Sequence, residues 1–136
     1  QIDAVPELLQ ADSNIELHEI VLTAVDSMAS RRAIWELVHV QRQRRVRYLV
    51  DARMGAFHCT VLTCKLHDPI SERYYLQSLV EDVATVDLPC TGRAIVSVSL
   101  TIAGLVAEQV RKILIGVDPP SRIDLNLETN QLIVAE

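Results

Sequence analysis

Ile20-Val21-Leu22-Thr23-Ala24-Val25 is an unbroken apolar, β-branched run that ends at Asp26-Ser27. A run of this length and composition reads as a strand buried on both faces, the kind found in a parallel sheet covered by helices. It is followed from Met28 to about Gln43 by a helical pattern in which Ala33, Ile34, Leu37 and Val38 share one face. Strand, short turn and helix in succession define the start of a β-α-β unit, and thus an α/β fold.

The rest of the chain is consistent with that frame. Residues 3–10 have the spacing of a short amphipathic helix, and Ile15 to Glu19 alternate as a half-exposed strand does. Residues 47–51 and 57–65 read as strands joined through Met54-Gly55-Ala56. His67-Asp68-Pro69 breaks the pattern, residues 70–80 form a weak helix, and residues 81–88 are connection. From Ala94 to Ile115 a long helix follows, about 33 Å if regular. Its core face is Ile95, Val98, Ile102, Leu105 and Val106, and Gly116 with Pro119-Pro120 ends it. Ile123, Leu125 and Leu127 alternate, Glu128-Thr129-Asn130 turns, and Leu132 and Val134 alternate back as a terminal hairpin. The expected architecture is one domain over residues 1–136: a partial, Rossmann-like mixed sheet with flanking helices and a C-terminal β-hairpin.

Composition narrows function by exclusion. A net charge of −5 argues against a general nucleic-acid or anionic-membrane binder. The charge is uneven: seven arginines lie between Arg31 and Arg53 against Glu36 and Asp51. They read as a solvated helix end, with an anion-binding face as the alternative. Residues 94–107, the longest charge-free stretch, are too short for a membrane span. Three cysteines cannot all pair within the chain, which fits a reducing, cytoplasmic setting. The chain opens at Gln1, so a preceding segment is expected.

Three positions invite chemistry. Cys90, in Leu88-Pro89-Cys90-Thr91-Gly92-Arg93, stands at the start of the long helix, where free N–H groups and the positive end of the dipole favour a thiolate. Asp26 sits just beyond the carboxyl end of the apolar strand, where open α/β sheets place ligands; it serves equally as a helix cap. Cys59 and Cys64 lie an odd number of residues apart on one strand, facing opposite ways and about 17 Å apart, so they do not share an ion, and no zinc site is expected. With four glycines, none in a G-x-G-x-x-G or P-loop, the chain carries no phosphate cradle of its own.

Val25-Asp26-Ser27-Met28-Ala29-Ser30-Arg31 resembles the D-N-x-x-x-R element of the ThiF/MoeB/ubiquitin-activating-enzyme superfamily, with Ser27 in place of the asparagine. Tyr48-Leu49-Val50-Asp51-Ala52-Arg53-Met54-Gly55 is similar to that family's strand-glycine-strand passage, and Leu88-Pro89-Cys90 to its P-x-C segment. The small-residue helix ending Glu108-Gln109-Val110-Arg111-Lys112-Ile113-Leu114-Ile115-Gly116 and the closing hairpin follow in family order, so the resemblance covers roughly residues 20–136. It resembles the C-terminal half of the adenylation domain, the glycine-rich loop lying upstream.

The resemblance implies ATP and Mg²⁺ as cofactors, with Asp26 and Arg31 on the Mg-ATP side and Cys90 as a thioester or acyl acceptor. It implies a ubiquitin-like or sulfur-carrier β-grasp protein as partner and a homodimer as the assembly, with the isolated chain inactive. The alternative is a non-catalytic ThiF-like binding or assembly module that has lost nucleotide binding. A redox role for Cys90 ranks last, for want of a nearby resolving cysteine.

Overall fold

The computed structural model describes residues 10, 13, 15–41, 45–79 and 95–136. Strand β1 (Ile20–Thr23) leads through helix α1 (Met28–Gln41) into β2 (Tyr48–Met54), with β1 and β2 parallel. β2 turns back through residues 55–57 into β3 (His58–Lys65), and α2 (Pro69–Gln77) follows. α3 (Val96–Leu114) then precedes the antiparallel pair β4 (Arg122–Asn126) and β5 (Gln131–Ala135). The five strands lie in one mixed sheet in sequence order, β1-β2-β3-β4-β5. This is an α/β fold with flanking helices and a terminal hairpin.

Alternation along β2 and β3 divides the core between the two sheet faces. Leu49, Leu62 and Cys64 pack with Ile34, Trp35 and Val38 of α1 and Tyr75 of α2. Val50, Cys59, Val61 and Ile123 pack under Val98 and Ile102 of α3. Cys59 and Cys64 therefore occupy opposite faces, as their odd spacing requires. Trp35 anchors the α1–α2 contact, its ring 5.3 Å from that of Tyr75.

Local chemistry sets the helix boundaries. Asp68 caps α2, its Oδ1 accepting from the N–H groups of Ile70 and Ser71 at 3.0 and 3.4 Å. α3 closes in a Schellman turn: Val117 N–H donates to the Lys112 carbonyl at 2.9 Å and Gly116 N–H to Ile113 at 3.1 Å. Gly116 takes φ +75° there, a conformation costly to a side chain with a Cβ.

Two sequence expectations are corrected. Residues 15–19 form no strand. Their backbone is held instead by α1 and the entry to β2: the Gln41 side chain bonds the Ile15 carbonyl at 2.7 Å and the Leu17 N–H at 3.1 Å, and Arg47 and Tyr48 N–H donate to the Glu19 carbonyl. Nor is the run from Ile20 buried on both faces. β1 is an edge strand among the described residues, and Leu22 is 55% exposed. The doubly covered strands are β2 and β3, buried over residues 48–51 and 59–64 respectively. The expected helix over residues 3–10 lies outside the described residues.

Candidate functional site

β1 and β2 run parallel, so the turn after β1 stands at the carboxyl end of the parallel pair, the position where α/β sheets gather ligands. Asp26 occupies that turn and is exposed. The cap of α1 is Ser27: its Oγ accepts from Ser30 N–H at 3.0 Å and donates to Ser30 Oγ at 2.8 Å, while its carbonyl accepts the first helical bond from Arg31 N–H at 3.2 Å. Asp26 is thereby left uncommitted, its carboxylate having no bond among the described residues. Of the two readings the sequence left open for Asp26, capping belongs to its neighbour.

Arg31, one turn into α1, points inward and is 5% exposed. Its guanidinium donates through Nε to Asp51 Oδ1 at 3.1 Å and through an η nitrogen to the carbonyls of Val25 and, at 3.4 Å, Ala52. Because Val25 directly precedes Asp26, Arg31 fixes the loop that presents the exposed carboxylate. It is built to position that loop.

Asp51 is the centre of this arrangement, with no solvent exposure. Its Oδ2 accepts from Arg53 Nε at 2.7 Å and from the Tyr75 hydroxyl at 3.3 Å. The Arg53 η nitrogens continue to the Ser78 carbonyl and hydroxyl, both at 2.9 Å. One carboxylate between two guanidiniums, each completed by carbonyls or a hydroxyl, satisfies the demand that a buried charge be paired and hydrogen-bonded. Burial, then the Asp51 charge beside it, pushes the Tyr75 phenol well above its ordinary value, so it remains a donor. Sequence reasoning passed over Asp51, Arg53 and Tyr75 as site residues. The available signal was a carboxylate directly after the apolar run Tyr48-Leu49-Val50 on the same strand, which requires a cationic partner.

The basic stretch does not form an anion face from its described members. Arg31 and Arg53 serve Asp51, Arg32 donates to the Leu79 carbonyl at 2.9 Å, Arg45 pairs with Glu16 at 2.6 Å, and Arg47 with Glu19 at 2.8 Å. Nor are the described thiols nucleophiles. Burial pushes Cys64 up to about 12, and burial with the Asp124 charge raises Cys59. Cys90 lies outside the described residues. Among the described residues no three His, Cys, Asp or Glu side chains come together as metal ligands, and no helix is long and apolar enough to cross a membrane.

No family model matches the chain, and no curated protein matches it.

Proposed function

We propose that this chain is the carboxyl-side part of a ThiF-like activating domain, which uses ATP to adenylate the C-terminal carboxylate of a ubiquitin-like or sulfur-carrier protein in the cytoplasm. The observation that carries the reading is the uncommitted Asp26 carboxylate at the carboxyl end of the parallel β1–β2 pair, on a loop held by Arg31. A single oxygen ligand of this kind suits Mg²⁺, which binds through one or two carboxylates and completes its shell with phosphates and water. Bound Mg²⁺ supplies neutralisation of phosphate charge. Asp26 would hold that ion; Arg31 orients Asp26 from beneath. The resemblance gives Cys90 the acceptor role: its sulfur forms a bond to the activated acyl carbon, AMP departs with the electron pair of the broken C–O bond, and the thiol proton passes to solvent. The assembly in this reading is a homodimer.

A second reading, a non-catalytic binding module, draws on the pairing of the buried Arg31 and the partly buried Arg53. Both guanidiniums are committed to Asp51, which leaves no cation of that cluster for phosphate.

ATP–pyrophosphate exchange by the full-length protein, supplied with a ubiquitin-like or sulfur-carrier partner, separates the two. The enzyme reading expects Mg²⁺-dependent exchange that falls at least about tenfold in Asp26→Asn while the melting temperature is unchanged. Carrier binding without exchange or ATP affinity overturns it in favour of the module.

A further inference from the structure

Helix α3 has two apolar faces. Val98, Ile102 and Gln109 are buried, and the helix lies over β2 and β3. The opposite face carries Val96, Leu100, Ala103, Gly104, Ala107 and Leu114 at helical spacing, all exposed, with Val96, Leu100 and Leu114 at 76%, 71% and 73%. A Cβ placed on Gly104 meets nothing within 4 Å, so the space beyond this face is open. No charge stands between Val96 and Ala107. The Thr101 hydroxyl donates back to the Ser97 carbonyl at 2.7 Å and that of Ser99 to Ile95 at 3.5 Å, so neither depends on water. A helix apolar all round is one that is buried all round.

The sheet beside α3 has the complementary deficiency. A helix about 10 Å across covers about two strands spaced about 4.8 Å apart. Leu132 and Val134 of β5 are the register partners of Leu125 and Ile123, which belong to the core under α3. They therefore share its face of the sheet, yet they are 59% and 52% exposed. β4 and β5 thus offer an apolar strip one helix wide, alongside a helix with one face unoccupied. The five large side chains and the small ones between them present on the order of 400 Å² of apolar surface per chain. That is comparable with the apolar share of a standard interface of about 800 Å² per partner.

We infer that a second copy of this chain covers both surfaces: the outer face of α3 lies on the β4–β5 strip of the second copy, whose α3 lies on this one. A two-fold axis running along the helix makes the contact reciprocal. The two α3 helices then lie side by side and parallel in one layer between two sheets. Ile102 shares a core cluster with Val61 and Ile123, and Val134 is the register partner of Ile123. The axis therefore sets Leu100, two residues before Ile102, at the level of Val134 of the second copy. Another copy fits because each surface supplies what the other lacks, and β5 is as free of charge as the facing stretch of α3. This gives a surface to the homodimer of the adenylation reading, but it rests on α3 and the sheet and not on the Asp26 corner.

The test is sedimentation velocity of the full-length protein without ATP or carrier, which reads assembly independently of adenylation. A dimer is expected. Leu100→Lys and Val134→Glu should each raise its dissociation constant at least about thirtyfold, as loss of a central interface residue does, with the far-UV circular dichroism unchanged. Ala107→Arg, on the same helix face, replaces Leu100→Lys should that variant not fold. An equimolar mixture of the Lys and Glu variants should recover the dimer, because the introduced ammonium meets the introduced carboxylate at one α3–β5 contact while the other contact is native. A monomeric parent overturns the inference and assigns the cover to another segment of the same chain. A dimer indifferent to these substitutions, or variants that stay monomeric when mixed, overturns it as well.

Discussion

Arg31 and Asp51 meet in the interior between α1 and β2, Nε 3.1 Å from Oδ1, at side-chain exposures of 6% and 0%. The two residues are twenty apart in sequence, and their pairing ties α1 to β2. Replacing Asp51 with Asn removes, among the described residues, the one carboxylate paired with Arg31 and Arg53, and leaves the buried Arg31 and the partly buried Arg53 without that counter-charge. Breaking a buried pair from one side costs about 3–5 kcal/mol. Urea unfolding of Asp51→Asn should show a loss of that size; a loss under about 1 kcal/mol would mean that the guanidiniums are reached by water.

The two residues at the head of α1 should separate in their effects. Ser27→Ala removes a cap and should cost about 1 kcal/mol in thermal or urea unfolding. Asp26→Asn removes no bond among the described residues and should leave stability within about 0.5 kcal/mol, while reducing any Mg²⁺-dependent nucleotide response. Comparable destabilisation by both would return the capping role to Asp26.

Features governed by local chemistry were legible in the sequence. Gly116 beyond a long periodic helix forecasts its Schellman turn, and the alternation around Glu128-Thr129-Asn130 forecasts the β4–β5 hairpin. Features governed by distant partners were not. An apolar run such as Ile20-Val21-Leu22 does not reveal whether a neighbour covers it, so edge strand β1 read as doubly buried. Conversely, β2 and β3 are buried over residues 48–51 and 59–64 despite Asp51, Thr60 and Thr63, and the partners that make Asp51 tolerable come from α1, α2 and its own strand. At the site, strand-turn-helix order located the corner, but spacing does not distinguish a cap from an uncommitted carboxylate at Asp26; the Ser27–Ser30 bonds do.

Gln109 on α3 has no solvent exposure, and neither amide atom has a partner among the described residues. A buried amide in this state costs more than an apolar side chain of similar shape. Gln109→Met should therefore stabilise the fold by about 1–3 kcal/mol in urea unfolding. Destabilisation instead would point to a buried water bonding the amide.

Cys59 and Cys64 are 0% and 1% exposed, and burial raises both thiols. In the native protein at pH 8 they should react with an aromatic disulfide reagent slower than a free peptide thiol by on the order of a hundredfold or more, reaction requiring local opening. Denaturation should release all three thiols of the chain. In a Cys59→Ala, Cys64→Ala background, the rate against pH then reads Cys90 alone, and a midpoint well below that of a free thiol would support its acceptor role.

Asp124 makes stability depend on acid in a definable direction. Burial alone would push its carboxyl up, but bonds from Arg122, at 3.0 Å to Oδ1, and from the Thr60 hydroxyl at 2.7 Å outweigh it and hold the group below the ordinary 3.8. A carboxylate depressed in the folded state contributes stability that is present above the unfolded value and disappears as pH falls through the folded one. Asp124→Asn should therefore be less stable than the parent at pH 6, with the difference constant down to about pH 5 and shrinking once the pH falls below 3.8. Urea midpoints for the two proteins between pH 2 and 6 measure this directly. A difference that stays constant to pH 2 would show that the Thr60 and Arg122 bonds act through geometry rather than through the charge of Asp124.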